Sequence, residues 1–242
     1  MFLQQDLKDV KRWTERMSNK YSYRPITCEP TTYKIITAAI ANRIYNHLTI
    51  NKKISTQQKG YCKSSMGCKD QLLISKLITA LAKKKQRNLS VAWIDYQKAF
   101  DSVPHTWIID VMKIYKIPSA IVKVIELTIM TWKPKMILPH TNEQLTTGKI
   151  CIRRGIYQGD SMSPLLFCLT LIPLTNILNR KNLGYEVDQN KVSNILYMDN
   201  LKLFAKDEYQ LEKALNVVKN YGHYIQMNFG IDKCDICIGI LF

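Results

Sequence analysis

The sequence predicts an α+β fold in which a split βαβ sheet is flanked by helices. Three observations carry this expectation. A helical apolar period gives way at residue 89 to a short run of β-branched and aromatic residues that ends at Ile94. A second strand-like stretch, residues 192–205, folds back on itself through a tight turn at Met198–Asn200. Helical stretches separate these segments and precede a last strand over 231–240, and strand, helix, hairpin, helix, strand is the order of a split βαβ unit.

The elements follow in order. Residues 31–48 read as a helix, with Ile35, Ile36, Ala39, Ile40, Ile44 and Leu48 apolar and Pro30-Thr31 at its start. Residues 69–85 form a second helix with Leu72, Leu73, Leu77, Ile78 and Leu81 on one face. It ends in Lys83-Lys84-Lys85-Gln86-Arg87, cations that suit the negative helix terminus and that also fit a nuclear address. Leu89–Ile94 is a buried strand that runs straight into Asp95. Asp101 or Ser102 caps the next helix, which has Pro104 in its first turn and continues to about Tyr115. Residues 150–163 form a loop and 164–180 a long apolar helix. The hairpin pairs Ile195–Tyr197 with Leu201–Ala205, and an amphipathic helix over 207–222 leads to the last strand.

Composition narrows the function. The chain has 242 residues, 46% of them hydrophobic, enough to bury a core and too many for disorder. Its longest apolar stretch, Leu165–Leu178, contains Thr170, Pro173, Thr175 and Asn176. It falls short of the ~18 residues of a membrane span, so no membrane partner is expected. Residues 1–20 are rich in charge and lack the apolar centre of a secretory signal. The expected setting is therefore intracellular, with the seven cysteines reduced. Cys234 and Cys237 form a CxxC without a second matching pair, and the four histidines are scattered, so zinc is not expected. With 35 Lys+Arg against 19 Asp+Glu the net charge is +16, which favours a polyanionic partner, nucleic acid foremost.

A carboxylate at the end of a buried strand is unfavourable unless something compensates its charge. Asp95 sits there, and Asp199 sits at the hairpin tip. In a split βαβ sheet their strands are neighbours, so the two side chains can meet at one sheet edge. Two aspartates with little histidine nearby suit a hard ion such as Mg²⁺. Paired ions ~3.5–4 Å apart clamp the attacking and leaving oxygens of phosphoryl transfer. Taken singly, Asp95 could equally cap a helix and Asp199 could be an ordinary turn residue.

The surrounding residues resemble a known family. Ala92-Trp93-Ile94-Asp95-Tyr96-Gln97-Lys98-Ala99-Phe100-Asp101-Ser102-Val103-Pro104-His105 resembles motif A of the reverse transcriptases of non-LTR (LINE-type) retrotransposons, site-specific group. Residues 153–167, RRGIYQGDSMSPLLF, resemble motif B. Tyr197-Met198-Asp199-Asn200 stands where the family has the YxDD of motif C, and Gly230-Ile231-Asp232-Lys233-Cys234 resembles motif D. Tyr23-Arg24-Pro25-Ile26-Thr27, Gln58-Lys59-Gly60-Tyr61 and Gly67-Cys68-Lys69-Asp70-Gln71-Leu72 resemble the fingers motifs. The similarity runs from about residue 21 to 240 in the family's order.

This resemblance implies a right-hand polymerase palm with partial fingers. Residues 1–90 would be partial fingers, 91–118 the palm with motif A, 119–150 a fingers/palm connection and 151–242 the palm with motifs B, C and D. Residues 1–20 read as a polar helix where the family has its first fingers strand, and nothing after motif D resembles a thumb, so a chain truncated at both ends and lacking the thumb is expected. The implied activity is RNA-directed DNA polymerisation with an RNA template, a DNA primer, deoxynucleoside triphosphates and two Mg²⁺ ions. Asp95 and Asp199, with the backbone carbonyl of Tyr96, would hold the metals. Phe100 would exclude a 2′-hydroxyl, and Gln158 and Gly159 would lie against the incoming nucleotide. Ser163 and Pro164 would start the helix behind the template pair. Lys233 would meet the pyrophosphate leaving group and Arg24 the triphosphate. Copying at a chromosomal nick would make the location nuclear.

One position departs from the pattern. Motif C should end Asp-Asp, and this chain has Asn200. The amide keeps the turn and removes one charge beside the metals, a loss of ~10–100-fold if the position only supports the ligands. Two readings follow: a working polymerase domain, or a catalytically impaired remnant that binds nucleic acid.

Overall fold

The computed structural model describes residues 26–63, 65–135, 137–139 and 144–239. At its centre is a four-stranded antiparallel sheet in the order β6-β7-β1-β8, made of β1 (Ser90–Ile94), β6 (Asn194–Tyr197), β7 (Asn200–Ala205) and β8 (Asp235–Cys237). β7 lies between β6 and β1 and runs antiparallel to both, which is the split βαβ arrangement. Two small hairpins, β2 (Ile137–Pro139) with β3 (Gln144–Thr146) and β4 (Tyr185–Val187) with β5 (Asn190–Val192), lie outside it.

Strand alternation gives the sheet two working faces. Ala92 and Ile94 of β1, with Leu201, Leu203 and Ala205 of β7, enter the main core. That core is built with α4 (His105–Ile114), α5 (Ser119–Thr131), α6 (Ser163–Arg180) and α7 (Glu208–Tyr224). Val91, Ile195 and Phe204 point the other way, against Ile78 and Ala82 of α2 (Cys68–Lys84), Leu89 and Tyr185. Further along that second face Trp93 is exposed, and Lys202 lies over its ring at 4.4 Å. Burial lowers the Lys202 pKa, and its ammonium also reaches the Ser75 hydroxyl of α2.

α6 is the helix around which the others pack, with buried residues on nearly every face. Pro173 lies inside it, and close by the Thr170 carbonyl accepts both the Trp107 indole N–H and the Tyr221 hydroxyl. α1 (Thr31–Ile50) buries Ala41, Ile44, Tyr45 and Leu48 in the same core.

Three elements differ from expectation. The helix read as starting at Asp101 or Ser102 divides into α3 (Ala99–Ser102) and α4, because Pro104 forces Val103 into extended backbone. Neither Asp101 nor Ser102 caps it: Lys98, in left-handed backbone, precedes α3, and Pro104 precedes α4. The hairpin turn is Met198–Asp199, with Asn200 already paired to Tyr197 in β7. The last strand is shorter than 231–240, since Ile231–Lys233 is a 3₁₀ turn and only Asp235–Cys237 joins the sheet. Residues 1–20 and Arg24 lie outside the described residues.

α7 begins at Asp207, whose carboxylate accepts the Gln210 N–H at 2.8 Å. Asp207→Ala is expected to destabilise the fold by ~1 kcal/mol, read as a lower urea midpoint with an unchanged slope.

Candidate active site

The sheet register builds the site. Ser90 pairs with Ala205 and Ile94 with Leu201, so the next step along β1 brings Asp95 level with Asn200 and beside the Met198–Asp199 turn. Met198 has φ +52°, the left-handed sign that a two-residue hairpin turn requires at its first position. A methionine there is strained, so neighbouring contacts must hold it. Asp199 is half-buried and Asn200 exposed.

Asp95 continues beyond β1 through backbone pairing with the motif D segment. Its carbonyl accepts the Gly230 N–H at 2.8 Å, and the Gln97 N–H reaches the Asn228 carbonyl at 2.8 Å. Between them Tyr96 is buried with its ring against Phe229. Burial raises the Tyr96 pKa, so the hydroxyl stays protonated. Gly230 leads into the 3₁₀ turn that carries Lys233, and the Lys233 ammonium lies 3.2 Å from Asp95 Oδ2. A cation therefore already sits on one of the two carboxylates.

The motif B loop packs against motif A. Gln158 Nε2 donates to Asp101 Oδ1 at 3.0 Å, which is what Asp101 does in place of capping a helix. Ile156 N–H donates to the Phe100 carbonyl at 2.7 Å, and Phe100 stacks on buried Phe167 with ring centroids 4.5 Å apart. Gly159 has φ +121°, and a Cβ there would meet the Thr27 carbonyl oxygen at 2.7 Å. Ile26–Thr27 runs alongside Gln158, with the Thr27 N–H on the Gln158 carbonyl at 2.8 Å, so glycine is required for both backbone and space. Ser163 starts α6 in a buried position, followed by Pro164 in the first turn.

Sequence reasoning missed two groups of residues. Gln58 and Gln71 are buried amides on the backbone of β6 and its turn; both stand in the blocks that resemble the fingers motifs, but Gln58 lies outside any periodic stretch and Gln71 is a polar position of a helix, so neither contact had a signal in the pattern. Asp160, within the motif B loop, is buried and accepts the Thr37 hydroxyl at 2.6 Å. Glu29 stands beside it, and burial together with the Asp160 charge pushes Glu29 up to about 7.

Asp95 and Asp199 offer hard oxygen donors suited to a divalent ion, and the ammonium on Asp95 marks a position that accepts positive charge. No group of three or more His, Cys, Asp or Glu gathers for a metal among the described residues. No helix among the described residues is long and apolar enough to cross a membrane.

An antiparallel sheet backed by helices, in this strand order, defines the palm of a nucleic-acid polymerase. The chain belongs to the reverse transcriptase (RNA-dependent DNA polymerase) family, whose model matches residues 11–239. It is 25% identical over 212 residues to the Retrovirus-related Pol polyprotein from type-2 retrotransposable element R2DM of Drosophila melanogaster, covering 88% of this chain and 19% of that protein. It is likewise 25% identical over 218 residues to the Pol polyprotein of a type-1 retrotransposable element R2 of Popillia japonica, covering 90% of this chain and 30% of that protein. The chain thus spans less than a third of the length of these relatives. The resemblance to non-LTR reverse transcriptases holds. Among solved structures, apo telomerase from Candida tropicalis shares the fold, with a TM-score of 0.61 at 11% identity over 84% of this chain and 37% of that one.

Glu29 holds its proton above the usual carboxylate range. The folded chain binds it more tightly than the unfolded chain, so stability falls as pH rises from the ordinary 4.5 toward about 7. Glu29→Gln is expected to be neutral near pH 4.5 and to gain ~1 kcal/mol at pH 8 after allowance for solvent screening, as read from urea midpoints. Equal stability of the two proteins at both pH values would contradict this.

Proposed function

We propose that this chain is the palm and part of the fingers of an RNA-directed DNA polymerase. It copies an RNA template from a DNA primer with deoxynucleoside triphosphates. The observation that supports this best is the β1–β7 register, which brings Asp95 and the Asp199 turn to one end of neighbouring strands. The division of labour is partial fingers over 1–90, palm over 91–118 and 151–242, and a connection over 119–150.

Asp95, Asp199 and the Tyr96 carbonyl would hold two Mg²⁺ ions, which neutralise charge on the phosphates during transfer. The chain's own groups do the positioning. Phe100, held flat by Phe167, supports the incoming sugar and excludes a 2′-hydroxyl. Gln158, oriented by Asp101, and Gly159, whose missing side chain lets the fingers segment approach, line the nucleotide. Lys233 neutralises Asp95 before substrate arrives and turns to the pyrophosphate when it leaves. Arg24 steadies the triphosphate. Copying at a chromosomal nick would put the chain in the nucleus.

Asn200 favours a second reading, a domain that keeps nucleic-acid binding and has lost most of its catalysis. Primer extension on an RNA template separates the two. The polymerase reading expects incorporation by the native chain that Asp199→Ala abolishes and that Asn200→Asp raises ~10–100-fold. Salt-sensitive binding to RNA–DNA hybrid with no incorporation by any of the three would support the impaired reading instead.

A further inference from the structure

The Met198–Asp199 turn is held by a side chain from a distant part of the chain. The segment around Gln58 runs alongside β6: the Leu196 N–H donates to the Gln57 carbonyl and the Lys59 N–H to the Leu196 carbonyl, each at 2.9 Å. From this segment the buried Gln58 side chain reaches the turn itself. Its Nε2 donates to the Met198 carbonyl at 3.1 Å, and its Oε1 accepts the Met198 N–H at 3.0 Å. The same Oε1 accepts the Gly60 N–H at 2.9 Å, so both of its lone-pair directions are engaged. Two backbone N–H groups converge on that atom, which identifies it as the oxygen and fixes the amide orientation.

Only an amide of this length satisfies the geometry. One residue, Met198, presents a donor and an acceptor, and Gln58 answers both as a neighbouring strand's peptide would. An ionised glutamate could take the N–H but would set a negative charge against the Met198 carbonyl. Asparagine falls one methylene short. Gly60 shows how closely the segment abuts the turn, because a Cβ there would meet the Met198 nitrogen at 2.8 Å and its sulfur at 2.9 Å. On the far side Cys168 Sγ of α6 lies 3.5 Å from Met198 Sδ.

We propose that Gln58 is a positioning residue for phosphoryl transfer: it holds the strained Met198 peptide so that the adjacent Asp199 is aimed at the site shared with Asp95. The proposal rests on the polymerase reading. It makes the fingers segment and the metal-binding turn one mechanical unit. Gln58 touches no substrate, and its effect passes through the turn backbone.

The test uses Gln58→Ala and, because an emptied site could unfold, Gln58→Glu, which keeps the volume and the acceptor. Three quantities are read: Mn²⁺ affinity by water-proton relaxation, Met198 amide exchange by NMR, and exchange at Ala92 and Leu203 in the sheet. In both variants Met198 exchange is expected to quicken at least ~10-fold and Mn²⁺ affinity to fall ~10–100-fold, while Ala92 and Leu203 keep native protection. Unchanged Met198 protection and Mn²⁺ affinity in Gln58→Glu would overturn the proposal. So would parallel loss of protection at all three amides, which marks general destabilisation. A native chain that takes up no Mn²⁺ while Met198 still responds would overturn the polymerase reading and leave the clamp standing.

Discussion

Asp95 and Asp199 stand at the same end of neighbouring strands, and nothing local would keep them there. In this chain the antiparallel register of Ser90–Ile94 with Asn200–Ala205 does so. Slipping that register by one residue would turn one strand's apolar face, Ala92 and Ile94 or Leu201 and Leu203, out of the core, so burial of these faces fixes the pairing. The positions of Asp95 and Asp199 are therefore consequences of apolar packing a few residues away. Lys233 reaches Asp95 from the opposite edge, delivered by the backbone pairing of Tyr96 with Phe229.

Around this frame the chain uses side-chain amides and hydroxyls where regular pairing stops. Gln58 answers the Met198 backbone, Gln71 the Leu196 carbonyl, and Gln158 the Asp101 carboxylate. Thr37 donates to Asp160 of the motif B loop. Leaving one such buried partner unmatched is more damaging than the modest net strength of the bond, so these contacts fix loop geometry more than they add stability. Close backbone approaches at Gly60 and Gly159 serve the same end by letting the segments around Gln58 and Thr27 lie directly on the turn and on the loop.

Much of this was legible in the sequence. The change of apolar period before Asp95 located β1, and the hairpin around Asp199 was readable from its two strand-like arms. Motif resemblance singled out Asp95, Asp199, Gln158, Gly159 and Lys233, but not the contacts that Gln158 and Lys233 make with Asp101 and Asp95. What escaped depends on contacts between residues far apart in the chain. Asp101 has the composition and place of a helix cap, and only the folded loop reveals Gln158 as its partner. The helix break at Val103-Pro104 follows from a local rule, the restriction of a residue before proline, that outweighed a favourable helical pattern. Gln58 sits in a polar stretch without period, so its reach to Met198 had no signature.

The central claim is that Asp95 and Asp199 act together on the same ions. A double-mutant cycle of Mn²⁺ affinity with Asp95→Asn and Asp199→Asn tests it most directly. If both carboxylates hold a shared site, each single substitution removes nearly as much affinity as the pair, and the cycle shows strong coupling. Losses that simply add, or affinity untouched by either change, would mean that the register brings the two carboxylates near each other without making one site of them.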